Sequence, residues 1–426
     1  MTSPEHETVF TYGAPALKYG TGASEEIGYD LTVYGARRVL VVTDPVVAAT
    51  GWPARIAEGI AGYGIEAEVF DGVHVEPTDV SMQKAVDFAR GTGPYDAFVA
   101  VGGGSSIDTA KAANLLTSND GELMDYVNVP VGGGRAPAHP LKPLVAVPTT
   151  TGTGAESTTV CVLDVLSMRV KSGISHLRLR PTLAVVDPLL TVSQPAGVTA
   201  ASGMDILCHA AESYTAKAYT DFTRKRPEER VPYCGANPLA DMFAEKSLEL
   251  LSWALPAAVR DGSDLKAREA MAMAATFAGL GFGNSGVHIP HANAYPIAGQ
   301  VRDFHPEGYP SDEAMVPHGM AVSLTAPAAF RFTFDAAPER HLRVARLLAP
   351  DFVWDGDAAG HLPAVLINLM REIGIPSGIG AVGYTESDVD SLVSGTLKQQ
   401  RLLAIAPRDA TEEDLATILR DSVELW

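Results

Sequence analysis

The sequence predicts an α/β domain followed by an all-helical one, and three observations carry that prediction. Short β-branched runs alternate with helical stretches through the first half, as in a parallel sheet wrapped by helices. Such runs vanish after about Thr191, where long amphipathic stretches take over. A chain of 426 residues is also long for one domain and natural for two. The change of pattern near Asp187-Pro188 divides the chain into 1–188 and 189–426, with no flexible linker, internal repeat or low-complexity tract.

Taken in order, Arg38 to Thr43 reads as a buried strand ending at Asp44-Pro45, 46–63 as a helix and 67–70 as a second strand. A helix over 80–90, a strand over 96–101 and a helix over 106–116 follow. Strands over 144–147 and 182–186, each closed by a proline-marked turn, complete the sheet. The second half reads as helices over 199–218, 239–260, 264–283, 317–331, 338–348, 360–373 and 411–424. The irregular stretch 219–238, with Arg224, Lys225, Arg226 and Arg230, reads as a loop inserted between two of them.

A hydrophobic fraction of 46% with 19% charged residues is that of an ordinary globular protein. The formal charge of -19 argues against nucleic acid or an anionic membrane surface as partner, since both want basic patches. No apolar run is long enough to cross a bilayer. The N-terminus carries Glu5 and Glu7 and no arginine, unlike a signal or transit peptide. Cys161, Cys208 and Cys234 are few, odd in number and far apart, which speaks for a reducing compartment; a cytoplasmic location is the simplest expectation.

Gly102-Gly103-Gly104-Ser105-Ser106 follows a strand and opens a helix, where glycines let the backbone approach a pyrophosphate and the free N–H groups point at it. A second loop after a strand, from Pro148 to Gly154, offers the hydroxyls of Thr149, Thr150 and Thr153 to phosphate or ribose. Either loop alone could be only a tight connection; two in one α/β half point to a dinucleotide. The spacing is not G-x-G-x-x-G, and Asp44 precedes the glycine loop instead of following it. An acid at a strand end can accept from the adenine ribose and repel a 2′-phosphate, favouring NAD over NADP; the plainer alternative is a turn-forming Asp-Pro.

In the helical half, Asp205 and His209 are four residues apart and so project from one helix face, as metal ligands must. Ser202 and Asp205 are equally spaced as a helix-capping pair. His288, His291 and His318 lie in apolar settings further on, and spacing alone leaves His288 and His291 as alternatives. A mixed carboxylate and imidazole set suits Fe(II), Zn(II) or Co(II) and disfavours calcium and magnesium.

These stretches together resemble the iron-containing (group III) alcohol dehydrogenase family over nearly the whole chain. The likeness is carried by Gly102 to Lys111, Pro148 to Glu156, Gly203 to Glu212, His291 to Ala298, and Pro317 to Gly319, in the family's order. It implies the two-domain fold shared with dehydroquinate synthase, an NAD-binding domain and then a helical metal-binding domain. It also implies Asp205, His209, His291 and His318 as ligands of a divalent metal, Fe2+ before Zn2+, with His288 outside the ligand set. Gly102, Gly103, Gly104, Ser105, Ser106, Asp108, Thr149, Thr150, Thr153 and Lys171 fall to the cofactor side, with Asp44. Tyr295 stands where the family's second histidine in HxxxHP would be, a position given a proton-relay or nicotinamide-contact role, and Ala298 replaces the motif's glycine.

Within the family the chain is most similar to the hydroxyacid-oxoacid transhydrogenases, through Met124 to Val127, Leu141 to Leu144, Gly235 to Pro238, Phe277 to His288 and Pro338 to Leu342, and the Tyr295 departure is itself like that subgroup. Such enzymes oxidise 4-hydroxybutyrate to succinic semialdehyde while reducing 2-oxoglutarate to 2-hydroxyglutarate, with the nicotinamide kept bound. A small-molecule hydroxyacid and oxoacid, or an alcohol and aldehyde, are the partners this implies, and a homodimer the assembly. The arginines of 219–238 are the visible candidates to hold a substrate carboxylate, against the alternative of a solvated loop. The rival readings are an ordinary NAD(H)-dependent primary alcohol dehydrogenase or aldehyde reductase and, from another class, a dehydroquinate-synthase-like lyase.

Overall fold

Six short strands carry the first half of the chain in the computed structural model, which describes residues 5–168, 170–311 and 313–426. They are β1 (Ala16–Tyr19), β2 (Arg38–Val42), β3 (Glu66–Phe70), β4 (Ala97–Gly102), β5 (Leu144–Pro148) and, after a hairpin, β8 (Leu183–Val186). All pair in parallel, in the order β1-β8-β5-β4-β2-β3. β4 and β5 are buried along their whole length, as central strands covered on both faces must be, and both are continuous apolar runs. The edge strand β3 leaves Glu66 exposed, and such charges discourage edge-to-edge pairing. The chain steps outward from β2 to β3, then returns to build β4, β5 and β8 on the other side. The strand order therefore reverses between β2 and β4, the place where open α/β sheets bind ligands.

Three features depart from the sequence expectation. The helix expected over 46–63 is two, Pro45–Ala49 and Trp52–Ala61, because Gly51 takes a left-handed φ of 81° between them. β1 went unseen because four half-exposed residues make no apolar run. An antiparallel hairpin of β6 (Val160–Val165) and β7 (Val170–Ser175) lies outside the main sheet. Its Cys161, Leu163 and Ile174 share a buried cluster with Leu115 and Leu116 of the Gly104–Ser118 helix.

The helical half packs Ala196–Thr215, Pro238–Arg260 and Leu265–Ser285 around a core that includes Met204, Leu207, Leu248, Leu251, Leu255 and Met271. Contact there is close: a Cβ on Gly203 would stand 2.2 Å from Leu255 Cδ1. The helix Ile289–Gly299 is missing from the sequence expectation because Pro290 and Pro296 interrupt its pattern. It is also buried from Ile289 to Ile297, so no polar face marks its period. No helix of the described residues is long and apolar enough to cross a membrane.

The compact units are Ala14–Gln194 on the one hand, and Pro195–Trp426 together with the N-terminal residues through Gly13 on the other. An expected division at 188 thus meets one at 194, and the N-terminal strap belongs with the helices. Gly13 N–H donates to Asn284 Oδ1 at 2.9 Å, Glu7 N–H donates to Phe222 O at 2.8 Å, and His6 bridges Thr223. The buried Glu7 carboxylate receives Arg230 at 3.0 and 3.2 Å and the Lys225 N–H at 3.1 Å. Arg224 bonds Thr8 at 3.2 Å, and the exposed Arg226 pairs with Glu229 at 2.8 Å. The basic insertion is therefore the strap's anchor: these three arginines already have partners, and the expectation that they hold a substrate carboxylate is replaced.

Burial works to raise the Glu7 pKa, but Arg230 and the N–H groups of Val9, Lys225 and Thr8 outweigh it and lower it from 4.5 to about 2. A depressed carboxyl contributes stability above its unfolded pKa and loses it as pH falls through the folded one. The melting-temperature gap between the wild type and Glu7→Gln should therefore be widest above pH 4.5 and close as pH falls toward 2. A gap that stays constant over that range would remove the charge from the strap's attachment.

Candidate metal centre and cofactor cradle

The ligand helix begins at Ala196, so Asp205 sits in its middle and cannot be its cap; the capping alternative falls away. Asp205, His209 and Glu212 recur on one face of this helix, all buried. Around Asp205 Oδ1 stand three imidazole Nε2 atoms: His291 at 3.6 Å, His209 at 3.8 Å and His318 at 4.0 Å. These gaps are too long for hydrogen bonds. They suit atoms arranged around a common ion, since tetrahedral ligands about 2.1 Å from a metal stand roughly 3.4 Å apart. Asp205 Oδ1 and His291 Nε2 are buried without a hydrogen-bond partner, the condition a metal would relieve. Asp205, His209 and His291 thus offer a ready metal-binding group, with His318 beside it.

Each side chain is aimed by its neighbours. The His209 ring stacks on Phe282, centroids 3.8 Å apart and planes 6° apart. His318 opens the helix His318–Ser323, and Gly319 lets that helix come close: a Cβ there would meet Ala201 O at 2.2 Å and Asp205 Cβ at 2.6 Å. The His318 side chain is 24% exposed against 5% or less for the others, so the group opens on its side. Tyr295, the departure from the family pattern, packs edge-on to His318 with centroids 6.2 Å apart.

Glu212 is the residue the sequence reading passed over. Its Oε1 lies 2.6 Å from His291 Nδ1, and its Oε2 accepts the His288 N–H at 2.6 Å. The carboxylate so holds the proton on Nδ1 and leaves the Nε2 lone pair facing Asp205, the arrangement that carboxylates impose on metal-binding histidines. The available signal was its place three residues after His209, on the ligand face of the same helix. His288 is turned elsewhere: its Nε2 bonds the Thr215 hydroxyl at 3.1 Å.

Burial is the largest single influence on each of these groups, and the charges around them oppose it. It lowers the His209 pKa to about 3 against the pull of Asp205, and lowers that of His288 to about 4 against Glu212. It also acts to lower that of His291, but Glu212 and Asp205 prevail and raise it to about 9, so that a metal taking the Nε2 lone pair would displace the proton there while Glu212 keeps the one on Nδ1. Burial works to raise the pKa of Asp205, yet His209, His318 and His291 hold it well below the usual carboxylate range.

In the α/β unit, the glycine loop and the threonine loop interlock at the ends of β4 and β5. A Cβ on Gly103 would meet Thr150 Oγ1 at 2.9 Å, and one on Gly104 would meet Thr153 Cγ2 at 2.7 Å. The hydroxyls of Thr43, Thr149 and Thr151, at the ends of β2 and β5, are buried without partners, as expected of groups that await a ligand's phosphate or ribose. Asp44 caps the Pro45–Ala49 helix through Oδ1, from the N–H groups of Val46 and Val47, while its Oδ2 accepts from Ser106 at 3.2 Å across the switch point. Ser105 Oγ accepts the Glu76 N–H at 3.2 Å.

Asp108 and Lys171, expected on the cofactor side, have partners within the fold. Asp108 binds Lys111 at 3.1 Å and the Val162 N–H at 2.9 Å, fastening helix to hairpin. Lys171, buried, pairs with Glu76 at 2.7 Å and Asp164 at 2.8 Å; burial lowers its pKa, but these carboxylates raise it further.

Comparison with known proteins agrees with this geometry. The family model for iron-containing alcohol dehydrogenase matches residues 14–188, and that for the C-terminal region of the Fe-containing alcohol dehydrogenase family matches residues 199–423. The chain belongs to the iron-containing alcohol dehydrogenase family. As a member of that family it is an oxidoreductase acting on small molecules. It is 42% identical to the mitochondrial hydroxyacid-oxoacid transhydrogenase of Bos taurus, over 100% of this chain and 92% of the relative. The Homo sapiens protein of that name is likewise 42% identical, with the same coverage. Among solved structures, a 1,3-propanediol oxidoreductase superposes with a TM-score of 0.84 at 31% identity, over 97% of this chain and 100% of that one. A sulfoacetaldehyde reductase from Bifidobacterium kashiwanohense in complex with NAD+ gives a TM-score of 0.79 at 26% identity, over 97% and 98%.

The transhydrogenase relatives are mitochondrial by name, which overturns the expectation of a cytoplasmic location. Free thiols at Cys161, Cys208 and Cys234 answer to any reducing compartment and do not distinguish one from another.

Two results should follow from the site. His291→Ala abolishes metal retention while His288→Ala keeps it, as elemental analysis of the purified variants reads; the opposite pattern would exchange their roles. Glu212→Gln should lower metal affinity by about 10- to 100-fold, measured by chelator competition, because the His291 tautomer is no longer fixed. Unchanged affinity would reduce Glu212 to a packing residue.

Proposed function

We propose that this chain transfers hydride between a hydroxyacid and an oxoacid, with 4-hydroxybutyrate and 2-oxoglutarate as the pair. The observation that carries the reading is the full-length likeness to hydroxyacid-oxoacid transhydrogenases, with a buried Asp205-centred histidine group where the family's chemistry needs one.

Asp205, His209, His291 and His318 would hold the metal, Fe2+ as the family's description suggests, although zinc accepts the same ligands and generally binds more tightly. When bound, the metal supplies Lewis acidity toward a substrate oxygen and NAD supplies the hydride acceptor. Glu212 keeps the His291 proton on Nδ1, so that Nε2 stays a donor of electrons. Phe282 holds the His209 ring in place by stacking. Gly102, Gly103, Gly104, Ser105 and Ser106 would cradle the pyrophosphate at a helix start, with Thr149, Thr150 and Thr153 beside it. Asp44 opposes a 2′-phosphate by like charge, which favours NAD over NADP. Tyr295, packed against His318, would take the relay or nicotinamide-contact position that a histidine holds elsewhere in the family. Asp108 and Lys171 would act from behind, by fixing the helix and hairpin that flank the cradle. A homodimer belongs to the same proposal, and two-fold pairing is the commonest form of soluble oligomer.

The test is incubation of metal-loaded protein with 4-hydroxybutyrate and 2-oxoglutarate, without added cofactor. Succinic semialdehyde and 2-hydroxyglutarate should appear in equal amounts over many turnovers. Turnover that stops unless free NAD or NADH is supplied would instead make the chain an ordinary alcohol dehydrogenase or aldehyde reductase of the family.

A further inference from the structure

With Arg224, Arg226 and Arg230 engaged elsewhere, the carboxylate remote from the reacting carbon needs another cation. We propose that Arg401 is that cation, an inference that rests on the hydroxyacid reading above. Arg401 lies on the short helix Gln400–Leu403, half-buried, with its guanidinium carbon 4.9 Å from the centroid of the Tyr233 ring. Among the described residues no carboxylate pairs with it, unlike Arg230, Arg302, Arg331, Arg340 and Arg343 of the same unit; Arg371 over Trp426 and Arg408 over Phe332 are ring-bound in the same way, and its neighbours set Arg401 apart. In a chain with 51 acidic residues and 32 basic ones, an arginine held over a ring and left without a counter-charge is available for an anionic ligand.

Its position connects it to the metal-binding group through a line of packed residues. Tyr233 is buried, and its ring lies against Gly286, where a Cβ would stand 3.1 Å from Tyr233 Cγ and 3.2 Å from Ile405 Cγ1. The Gly286 N–H donates to Phe282 O at 2.8 Å, one helical turn back, and Phe282 is the ring that stacks on His209. Gly286 also leads directly into the helix that carries His291. Arg401, Tyr233, Gly286 and Phe282 thus form one continuous line of contact that ends on His209, one of the proposed ligands.

The chemistry of the two substrates asks for a single such cation. In 4-hydroxybutyrate and in 2-oxoglutarate alike, two methylenes separate the reacting carbon from the distal carboxylate. One guanidinium at a fixed reach therefore serves both half-reactions. Its planar fork pairs with a carboxylate through two parallel N–H···O bonds, and the tyrosine beneath restricts its motion in advance.

The experiment compares the wild type, Arg401→Ala and Arg401→Lys on 4-hydroxybutyrate and on 1-butanol, with metal content checked in each. Direct titration with 2-oxoglutarate accompanies it. The ratio of kcat/KM for the acid to that for the alcohol should fall about ten- to a hundred-fold in Arg401→Ala, as loss of a hydrogen bond to a charged group implies. The change should lie mainly in KM, with weaker 2-oxoglutarate binding to match and partial recovery in Arg401→Lys. A ratio and a binding constant equal to the wild type's would overturn the role of Arg401 while leaving the hydroxyacid reading intact. A wild type that oxidises butanol but neither acts on 4-hydroxybutyrate nor binds 2-oxoglutarate would overturn both.

Discussion

Glu212 is buried in the middle of the helical unit, and both of its oxygens are in use. One faces the His291 ring nitrogen and the other receives the backbone N–H of His288, at the start of the next helix. Burial works to raise its pKa, but His291 and His288 lower it, so the group stays charged where an unpaired carboxylate would not. The same contact fixes the entry of the Ile289–Gly299 helix, aims His291 at Asp205 and sets which nitrogen carries the proton. Removing one partner of such a buried set leaves an uncompensated charge, so position, tautomer and local stability rest on a single carboxylate.

Two sets of polar groups stand out. Asp108, Lys111 and Lys171 are buried and Asp164 is half-buried; they pair with one another and fasten the hairpin to the strands and helix around it. Thr43, Thr149 and Thr151 at strand ends, and Asp205 Oδ1 and His291 Nε2 in the ligand group, are buried and unsatisfied. Orphaned groups of this kind are rare in stable interiors. They coincide here with a topological switch point and with a cluster of imidazoles, which is why they read as places for a ligand.

Much of this was legible in the residues. Central strands announced themselves as apolar runs because both of their faces are covered, and Asp205 with His209 showed the four-residue spacing of a helix face. What stayed hidden lacked a periodic signal. The Ile289–Gly299 helix is apolar all round and interrupted by proline, so neither amphipathicity nor propensity marks it. The partners of Arg230 and Lys171 lie far away in sequence, in Glu7 and Glu76, and no local pattern links them. Composition suggested a reducing compartment but held nothing to choose among such compartments.

The strap from Glu7 to Gly13 makes the helical unit discontinuous in sequence. It precedes Ala14–Gln194 in the chain, yet its docking surfaces, Phe222 to Arg230 and Asn284, come after the whole of that unit. The α/β unit is one continuous stretch that holds its whole sheet within itself. The helical unit is complete only when segments from both sides of Ala14–Gln194 are present. The metal-binding half of the molecule therefore depends on an unbroken run through the other unit to keep its own strap within reach.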